Sequence, residues 1–194
     1  MDTPEQELAT RLTDAARAVT EALSPDEVAA IARYQAKNRT YELVAAVLRG
    51  QLTPDDLTAE NAELVTGIID ALIPATSRWR LPEPVRLYRG QRRASRAVGT
   101  GPRIGRVLIA ETFVSTTIYR QVAIDEFTRP PGPGGPALLE VDALAGTPGL
   151  WLPPAGNPDL AYQGELLLPR ETRIVVRGER EDAGILVLDC EVLL

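Results

Sequence analysis

Apolar residues recur at helical spacing through the first eighty residues of the chain. Residues 5–22 predict a short leading helix, and the sequence SPDE opens a second one. Ser24 is the expected N-cap of that helix, and Glu27, three residues later, completes a capping box. A third stretch with apolar residues at helical spacing follows and predicts a third helix. TPDD at Thr53 then predicts the start of a fourth helix, which Pro74 should end.

From Pro82 onward the apolar residues occur in short runs that are rich in β-branched side chains and separated by Gly or Pro. These runs predict seven or eight strands, mostly antiparallel: VRLYRG, RVLIA, TFVSTT, ALLEVDAL, GLWLP, GELLLP, TRIVVRG and GILVLDCEVLL. The last two runs should form a hairpin. One helix is expected at 120–127, and the composition of residues 128–136 predicts a loop. Helices followed by strands indicate an α+β fold.

Length and composition are those of an ordinary globular domain. The 194 residues are 44% hydrophobic and 25% charged, which is enough to bury a core without cross-links. We expect a single domain over residues 1–194, helical over 1–80 and β-rich over 82–194. The net charge of −6 disfavours a general electrostatic grip on nucleic acid.

The sequence contains no pattern typical of a targeting or membrane-spanning segment. The N-terminal residues MDTPEQELAT are polar and acidic, unlike a signal peptide. No apolar run approaches the roughly 20 residues that a membrane helix needs. From the sequence we therefore expect no membrane association and a cytoplasmic location.

The chain has no histidine and a single cysteine, Cys190. The lack of histidine excludes Ser-His-Asp and Cys-His nucleophile systems and HExxH zinc sites. Cys190 lies in an apolar run and is expected to be a buried core residue. If the chain is an enzyme, its chemistry depends on carboxylates, amides, hydroxyls and guanidinium groups, and we expect no metal.

Three polar groups interrupt the apolar strands. Arg89 follows VRLY, a Ser-Thr-Thr run begins at Ser115, and Gln163 and Glu165 precede LLLP. Each has an ordinary explanation taken alone: an ion-paired strand end, cross-strand hydrogen bonds, or a solvated strand edge. We interpret Tyr162 as the start of a strand, which would place Gln163 and Glu165 on one face.

Taken in order, the three groups resemble the mono-ADP-ribosyltransferase family of bacterial toxins and effectors. The matching segments are LYRG at 87–90, FVSTT at 113–117 and YQGELLLPRETRIVV at 162–176. The branch in question is characterised by Arg, then Ser-Thr-Ser, then Gln/Glu-x-Glu. The sequence is most similar to the clostridial exoenzymes that modify Rho GTPases, because Gln163 stands where arginine-specific members carry Glu. The resemblance implies N-terminal helices beside a two-sheet, mostly antiparallel β core.

The resemblance also implies a reaction and its main residues. Members of the family transfer ADP-ribose from NAD, as co-substrate, and release nicotinamide. Glu165 would stabilise the positive charge that develops on the ribose, and Ser115 would orient Glu165 by a hydrogen bond. Gln163 would orient the incoming nucleophile, and an amide suits a neutral acceptor such as Asn or Gln. Arg89 would bind the pyrophosphate.

Further roles follow from the same resemblance. Thr116 and Thr117 would line the nicotinamide pocket, although the family usually has Ser at the second position. Further NAD contacts are expected from Gly90, Phe127, Arg129 and Arg49. The loop before Gln163 would recognise the target, where relatives carry an aromatic residue at the place of Leu160. The aromatic here is Tyr162, which would either contact the substrate or pack on the core.

The predicted function is therefore mono-ADP-ribosyl transfer from NAD to a protein side chain. A DNA base or nucleoside as acceptor is an alternative, as is an NAD glycohydrolase in which water is the acceptor. A catalytically inactive binding module is a third, which the joint presence of Arg89, Ser115 and Glu165 disfavours. An inhibitor or immunity partner would suit such a toxin. A delivered effector, or the toxin portion of a longer polypeptide, would also carry this sequence.

Overall fold

A computed structural model describes residues 3–36, 38–99 and 101–194. Its α-helices are α1 Pro4–Glu21, α2 Pro25–Tyr34, α3 Thr40–Leu48, α4 Ala59–Arg78, α5 Ala94–Val98 and α6 Arg120–Phe127. Its strands are β1 Trp79–Arg80, β2 Val85–Gln91, β3 Val107–Ile109, β4 Val114–Thr117, β5 Ala137–Ala143, β6 Pro148–Trp151, β7 Glu165–Leu168, β8 Arg173–Asp182 and β9 Ile185–Leu193. The first four helices precede the strands, and α5 and α6 lie among them in the sequence, so the α+β prediction is confirmed.

Helix α2 begins as its sequence predicts. The Ser24 hydroxyl accepts from the Glu27 N–H at 3.2 Å, and the Glu27 carboxylate accepts from the Ser24 N–H at 2.8 Å. These two bonds satisfy donors that a helix N-terminus otherwise leaves unpaired. None of the helices in the described ranges is long and apolar enough to cross a membrane.

The predicted bounds of the fourth helix were wrong at both ends. The Asp56 carboxylate accepts from the N–H and hydroxyl of Thr53, each at 2.8 Å, but the segment forms only a 3-10 turn, Pro54–Asp56, because Leu57 adopts an extended backbone (φ −104°, ψ 159°). Helix α4 begins later, after an N-cap at Thr58. It also continues past Pro74 to Arg78. Pro74 itself is exposed, but Ala75 and Thr76 after it are buried, so tertiary packing carries the helix past the proline.

Eight of the nine strands coincide with the predicted runs, and β1 is additional. The strand order is β1-β6-β7-β4-β2-β5-β9-β8-β3, antiparallel except for β5 beside β9. The order is continuous, where the sequence predicts two sheets. The join between β4 and β2 consists of one residue pair, Tyr88 with Thr117, whereas β2 and β5 share seven pairs. The sheet therefore has two halves that meet at a minimal junction.

The sheet curves around an internal core. Strands near opposite ends of the order contribute to the same buried cluster, for example Trp151 of β6 and Ile174 of β8. The outer face of the β6–β7 half packs against the N-terminal helices, where Leu167 joins Ile31 and Leu72. Helix α6 covers the outer face of the other half through Ala123. Cys190 is buried in the internal core, as predicted.

Candidate functional site

Ser115 and Glu165 meet across neighbouring strands. Strands β4 and β7 are antiparallel, with Thr117 opposite Glu165 and Ser115 opposite Leu167. Because alternate residues of a strand share a face, Ser115 and Glu165 project from the same side of the sheet. The Ser115 hydroxyl donates to Oε1 of Glu165 at 2.5 Å. The predicted pairing of these two residues therefore exists in the fold.

The second oxygen of the Glu165 carboxylate is also occupied. Gln35, which follows α2, donates from Nε2 to Oε2 of Glu165 at 2.9 Å. Glu165 is 9% exposed. Its burial raises the pKa of the carboxyl group above the ordinary value, and this effect outweighs the hydrogen bonds from Ser115 and Gln35 and the charge of Arg89, which lower the pKa.

Arg89 lies at the junction between the two halves of the sheet. Its Nη1 donates to the carbonyl oxygen of Ser115 at 2.6 Å. With its amide oxygen turned toward Arg89, Gln91 accepts from Nε and Nη2 at 2.9 and 3.0 Å. No carboxylate in the described residues lies within ion-pair distance of this guanidinium. Burial, together with the nearby charge of Arg49, lowers the pKa of Arg89, and this effect outweighs the charges of Tyr34 and Glu165, which raise the pKa.

Arg49 and Tyr34 border the same region. Arg49 caps the end of α3 and forms a long ion pair with Glu111 at 3.7 Å. The Tyr34 ring meets Phe113 edge-on, with centroids 6.1 Å apart. Burial raises the pKa of the Tyr34 hydroxyl, and the charge of Glu165 adds to the effect while Arg89 and Arg49 oppose it. Arg89 and the Tyr34 phenol therefore lie near Glu165, and Arg49 lies near both of them.

The predicted strand start at Tyr162 was wrong. Residues Pro158–Gln163 form a 3-10 helix, Gly164 adopts a left-handed conformation (φ 52°, ψ 48°), and β7 begins at Glu165. The alternation that was expected to place Gln163 and Glu165 on one face is therefore absent. An added Cβ at Gly164 would lie 2.5 Å from the Tyr119 ring, so both the turn and the packing require glycine.

Gln163 and Tyr162 instead share a carboxylate from helix α6. Nε2 of Gln163 donates to Oε2 of Glu126 at 2.7 Å, and the Tyr162 hydroxyl donates to Oε1 of Glu126 at 2.9 Å. Tyr162 is 57% exposed, so the alternative in which it packs on the core is wrong. Leu160 is half-buried in the same 3-10 helix.

The two threonines after Ser115 have different environments. The Thr117 hydroxyl donates to the carbonyl oxygen of Gln163 at 2.5 Å and accepts from the Tyr119 N–H at 2.9 Å, so it holds the turn in place. Thr116 is paired with Leu166 and lies on the opposite face from Glu165. Its hydroxyl donates to the Leu166 carbonyl oxygen at 2.7 Å, and the residue is 3% exposed. A pocket on the Glu165 face cannot include the Thr116 side chain.

The remaining predicted NAD contacts stay predictions. Gly90 lies against α6, where an added Cβ would be 2.1 Å from the Ala123 carbonyl oxygen and 2.8 Å from Cβ of Phe127. Phe127 is 39% exposed. The side chain of Arg129 is 67% exposed and lies 3.6 Å from an oxygen of Asp125. Packing against α6 is therefore sufficient to explain why residue 90 is a glycine.

Three neighbours of the site were missed in the sequence: Gln35, Tyr34 and Glu126. Each is separated by many residues from the group it contacts; Gln35 and Glu165 are 130 positions apart. The sequence around a polar residue in or beside a helix does not show which distant residue its side chain will contact. Within the described residues, no group of three or more His, Cys, Asp or Glu side chains could hold a metal ion.

Solved structures with the same architecture cover almost the whole chain. Plx2a, an ADP-ribosyltransferase toxin from Paenibacillus larvae, is 18% identical, with 98% of this chain and 97% of that chain covered and a TM-score of 0.73. The C3 exoenzyme of Clostridium limosum is 18% identical, with 100% of this chain and 96% of that chain covered and a TM-score of 0.72. C3stau2 from S. aureus, solved with NAD, is 16% identical, with 100% of this chain and 98% of that chain covered and a TM-score of 0.73. The chain has the fold of the ADP-ribosyltransferase toxins.

The ADP-ribosyltransferase fold is evident from structure and not from overall sequence similarity. No protein-family model and no curated protein matches the sequence. At this level of identity the comparison establishes the fold, and activity has to be argued from the site. The structural match includes the clostridial exoenzyme type that the three sequence segments resemble.

Proposed function

We propose that the chain is a mono-ADP-ribosyltransferase that cleaves NAD to nicotinamide and transfers ADP-ribose to an acceptor. The observation that carries the proposal is the hydrogen bond of 2.5 Å between Ser115 and a buried Glu165, in a fold shared with ADP-ribosyltransferase toxins. The C3stau2 structure, which has this fold, was solved with NAD.

The proposed chemistry requires no metal and no histidine. The bond between nicotinamide nitrogen and ribose carbon breaks, nicotinamide leaves with the electron pair, and positive charge develops on the ribose. A carboxylate already in place stabilises that charge without reorganisation. Glu165 is the proposed carboxylate, and the hydrogen bonds that its two oxygens accept from Ser115 and Gln35 hold its orientation.

Arg89 supports NAD as the co-substrate. The Arg89 guanidinium is half-buried and has no carboxylate of the described residues within ion-pair distance, so an anion would offset part of its desolvation cost. A pyrophosphate offers oxygens that match the planar fork of donors. Arg49 adds a second cation near Arg89. Arg89 is therefore the proposed pyrophosphate ligand, and Arg49 a supporting one.

The orientation of Gln163 bears on the acceptor. Its Nε2 donates to Glu126 at 2.7 Å, which leaves the amide oxygen to face the acceptor. That oxygen accepts hydrogen bonds and carries no charge. It suits a neutral donor such as the carboxamide of Asn or Gln, so we propose a protein side chain of this kind. Tyr162, exposed beside Gln163, is the proposed contact to the target surface.

The test is incubation with NAD labelled in its adenylate half, with and without a cell lysate, following free nicotinamide and the label. Label on a protein supports the transferase; label on nucleic acid would assign a nucleobase acceptor. Nicotinamide release with only free ADP-ribose would indicate a glycohydrolase, and no release from folded protein would refute the proposal.

The matched controls replace carboxylates by amides of the same size. Glu165→Gln should abolish nicotinamide release without lowering the melting temperature, because an amide avoids the cost of burying a charge. Glu63→Gln, at an exposed position of α4, should leave release unchanged. Turnover by Glu165→Gln at the wild-type rate would contradict the assignment of the site.

A further inference from the structure

The Gln35 amide bridges Glu165 and the loop that precedes it. Its Nε2 donates to Oε2 of Glu165 at 2.9 Å, and its Oε1 accepts from the backbone N–H of Asn157 at 2.9 Å. Gln35 follows helix α2, Asn157 precedes the 3-10 helix Pro158–Gln163, and Glu165 opens β7. One side chain therefore joins three separate parts of the fold.

The backbone determines which end of the Gln35 amide faces Glu165. The N–H of Asn157 can only donate, so it must meet the amide oxygen. The amide nitrogen is then directed at the carboxylate, where it forms a charge-assisted hydrogen bond. A reversed amide would bring N–H against N–H and oxygen against carboxylate. The orientation is thus fixed by the main chain and not by Glu165 alone.

Gly156 provides the space for this side chain. An added Cβ at residue 156 would lie 2.1 Å from Oε1 of Gln35 and 3.0 Å from its Cδ. The loop backbone is held there because the Gly156 N–H donates to the Leu152 carbonyl oxygen at 2.7 Å. Any larger residue at 156 would displace the Gln35 amide, so the loop and Gln35 depend on each other.

The two donors act on different oxygens of Glu165. Ser115 takes Oε1 and Gln35 takes Oε2. Together they fix the rotation of the carboxylate, which a single hydrogen bond would not do. Each oxygen has two lone pairs, so Oε2 can still accept from a ribose hydroxyl while Gln35 remains bound.

We propose that Gln35 is a positioning residue for Glu165, which sets the carboxylate for NAD cleavage and ties it to the loop at 152–164. This inference rests on the proposed function. Gln35 acts through Glu165 and not on NAD itself. The consequence is that changes in the loop at Gly156 reach the reacting centre through one amide.

The proposal predicts a change in pH dependence. The groups acting on Glu165 are Ser115 and Gln35, which donate hydrogen bonds, Arg89, which is cationic, and Tyr34, whose phenol lies nearby. Burial raises the pKa of Glu165 and the donors oppose burial. Removing the Gln35 donor raises that pKa further. Since the carboxylate is the active form, the acid limb of the rate profile should move to higher pH.

The experiment measures nicotinamide release against pH and NAD concentration for the wild type, Gln35→Met and Gly156→Ala. For Gln35→Met we expect kcat at neutral pH to fall about tenfold, as for loss of one charge-assisted hydrogen bond, with little change in KM and with the acid limb moved to higher pH. Gly156→Ala should act in the same direction although it retains Gln35. Gln51→Met, at an exposed position, is the matched control and should change neither quantity.

A second measurement separates this proposal from the proposed function. Carboxyl ¹³C NMR of glutamate-labelled protein follows the titration of Glu165, assigned with Glu165→Gln, and needs no activity. A higher pKa of Glu165 in both variants supports the proposal even if the wild type releases no nicotinamide, an outcome that would refute only the NAD chemistry. An unchanged pKa and an unmoved acid limb in folded Gln35→Met would overturn the proposal, whatever happens to kcat.

Discussion

At the scale of single residues, Glu126 has two partners in the segment next to Glu165. Its carboxylate accepts from the Tyr162 hydroxyl at 2.9 Å and from the Gln163 amide at 2.7 Å. A carboxylate accepts and cannot donate, so it selects one orientation of the Gln163 amide. The neighbouring groups thereby present a carbonyl oxygen and an exposed aromatic ring to whatever approaches.

Replacing Glu126 by Gln should lower the pKa of Tyr162. The hydrogen bond to Glu126 is the main cause that raises the pKa of this phenol, with a smaller contribution from burial. Without the charged acceptor the phenolate forms more readily, so the absorbance transition of Tyr162 should move to lower pH. The measurement is an ultraviolet titration in which Tyr162→Phe identifies the signal.

The same variant should also reduce transfer relative to hydrolysis. A Gln at 126 can donate as well as accept, so the Gln163 amide would adopt both orientations and would present its oxygen less often. We expect the ratio of labelled acceptor to free ADP-ribose to fall about fivefold, as for a modest hydrogen-bond loss. A normal ratio combined with a shifted Tyr162 titration would show that the orientation of Gln163 does not matter for transfer.

At the scale of elements, helix α6 and strand β2 approach closely at Gly90. The distance of 2.1 Å between an added Cβ and the Ala123 carbonyl oxygen involves backbone, which cannot move aside as a flexible side chain can. The approach matters because α6 carries Glu126 and β2 carries Arg89. A single glycine therefore keeps two parts of the site together.

Gly90→Ala should destabilise the protein by about 2 kcal/mol, the typical cost of overpacking a tight contact. The check is urea unfolding followed by circular dichroism. Gly67→Ala is the matched control, because an added Cβ at that position of α4 meets nothing within 4 Å, and alanine favours helix over glycine. It should therefore be neutral or stabilising. Equal stability of Gly90→Ala and the wild type would contradict the close approach.

At the scale of the whole molecule, Glu140 joins strands and helix α6 on the outer face of the sheet. Its side chain is 6% exposed and meets Arg120 at 3.0 Å, Arg180 at 2.9 Å and Arg86 at 3.5 Å. These arginines come from α6, β8 and β2. Burial alone would raise the pKa of Glu140, but the hydrogen bonds from Arg180 and Arg120 outweigh burial and lower it.

Glu140→Gln should lower the free energy of unfolding at neutral pH by about 3 kcal/mol, because it leaves three arginines around a site without its charge. The pKa of Glu140 is lowered on folding, so its contribution is complete above the ordinary glutamate pKa and is lost as the pH falls through the lowered value. The difference between variant and wild type should therefore shrink in acid. Urea unfolding at several pH values measures it.

The control for this prediction is Asp142→Asn. Asp142 also pairs with Arg86, at 2.8 Å, but its side chain is 56% exposed. An exposed pair contributes about 0–1 kcal/mol, so this variant should be close to the wild type. If both variants had the same small effect, the network around Glu140 would not contribute to holding α6 on the sheet.

How far the sequence could predict the molecule differs between its parts. The eight strand runs and the helix at 120–127 were predictable, since period-2 and period-3.6 patterns are local properties of the chain. The prediction that α4 ends at Pro74 was wrong because burial of Ala75 and Thr76 outweighs a local breaker. The turn at Tyr162 was missed because its apolar neighbours suggested a strand, while Gly164 permits the left-handed residue that ends it.

The sequence by itself determined the order of elements, the exclusion of histidine chemistry, and the candidates Arg89, Ser115 and Glu165. It could do so because these depend on residue type and on short spacings. Only the tertiary structure decided which groups touch them: Gln35 on Glu165, Glu126 on Gln163, and no carboxylate, among the described residues, on Arg89. These contacts join residues 37 and 130 positions apart. They depend on how helices and strands pack, and packing is a property of the folded chain as a whole.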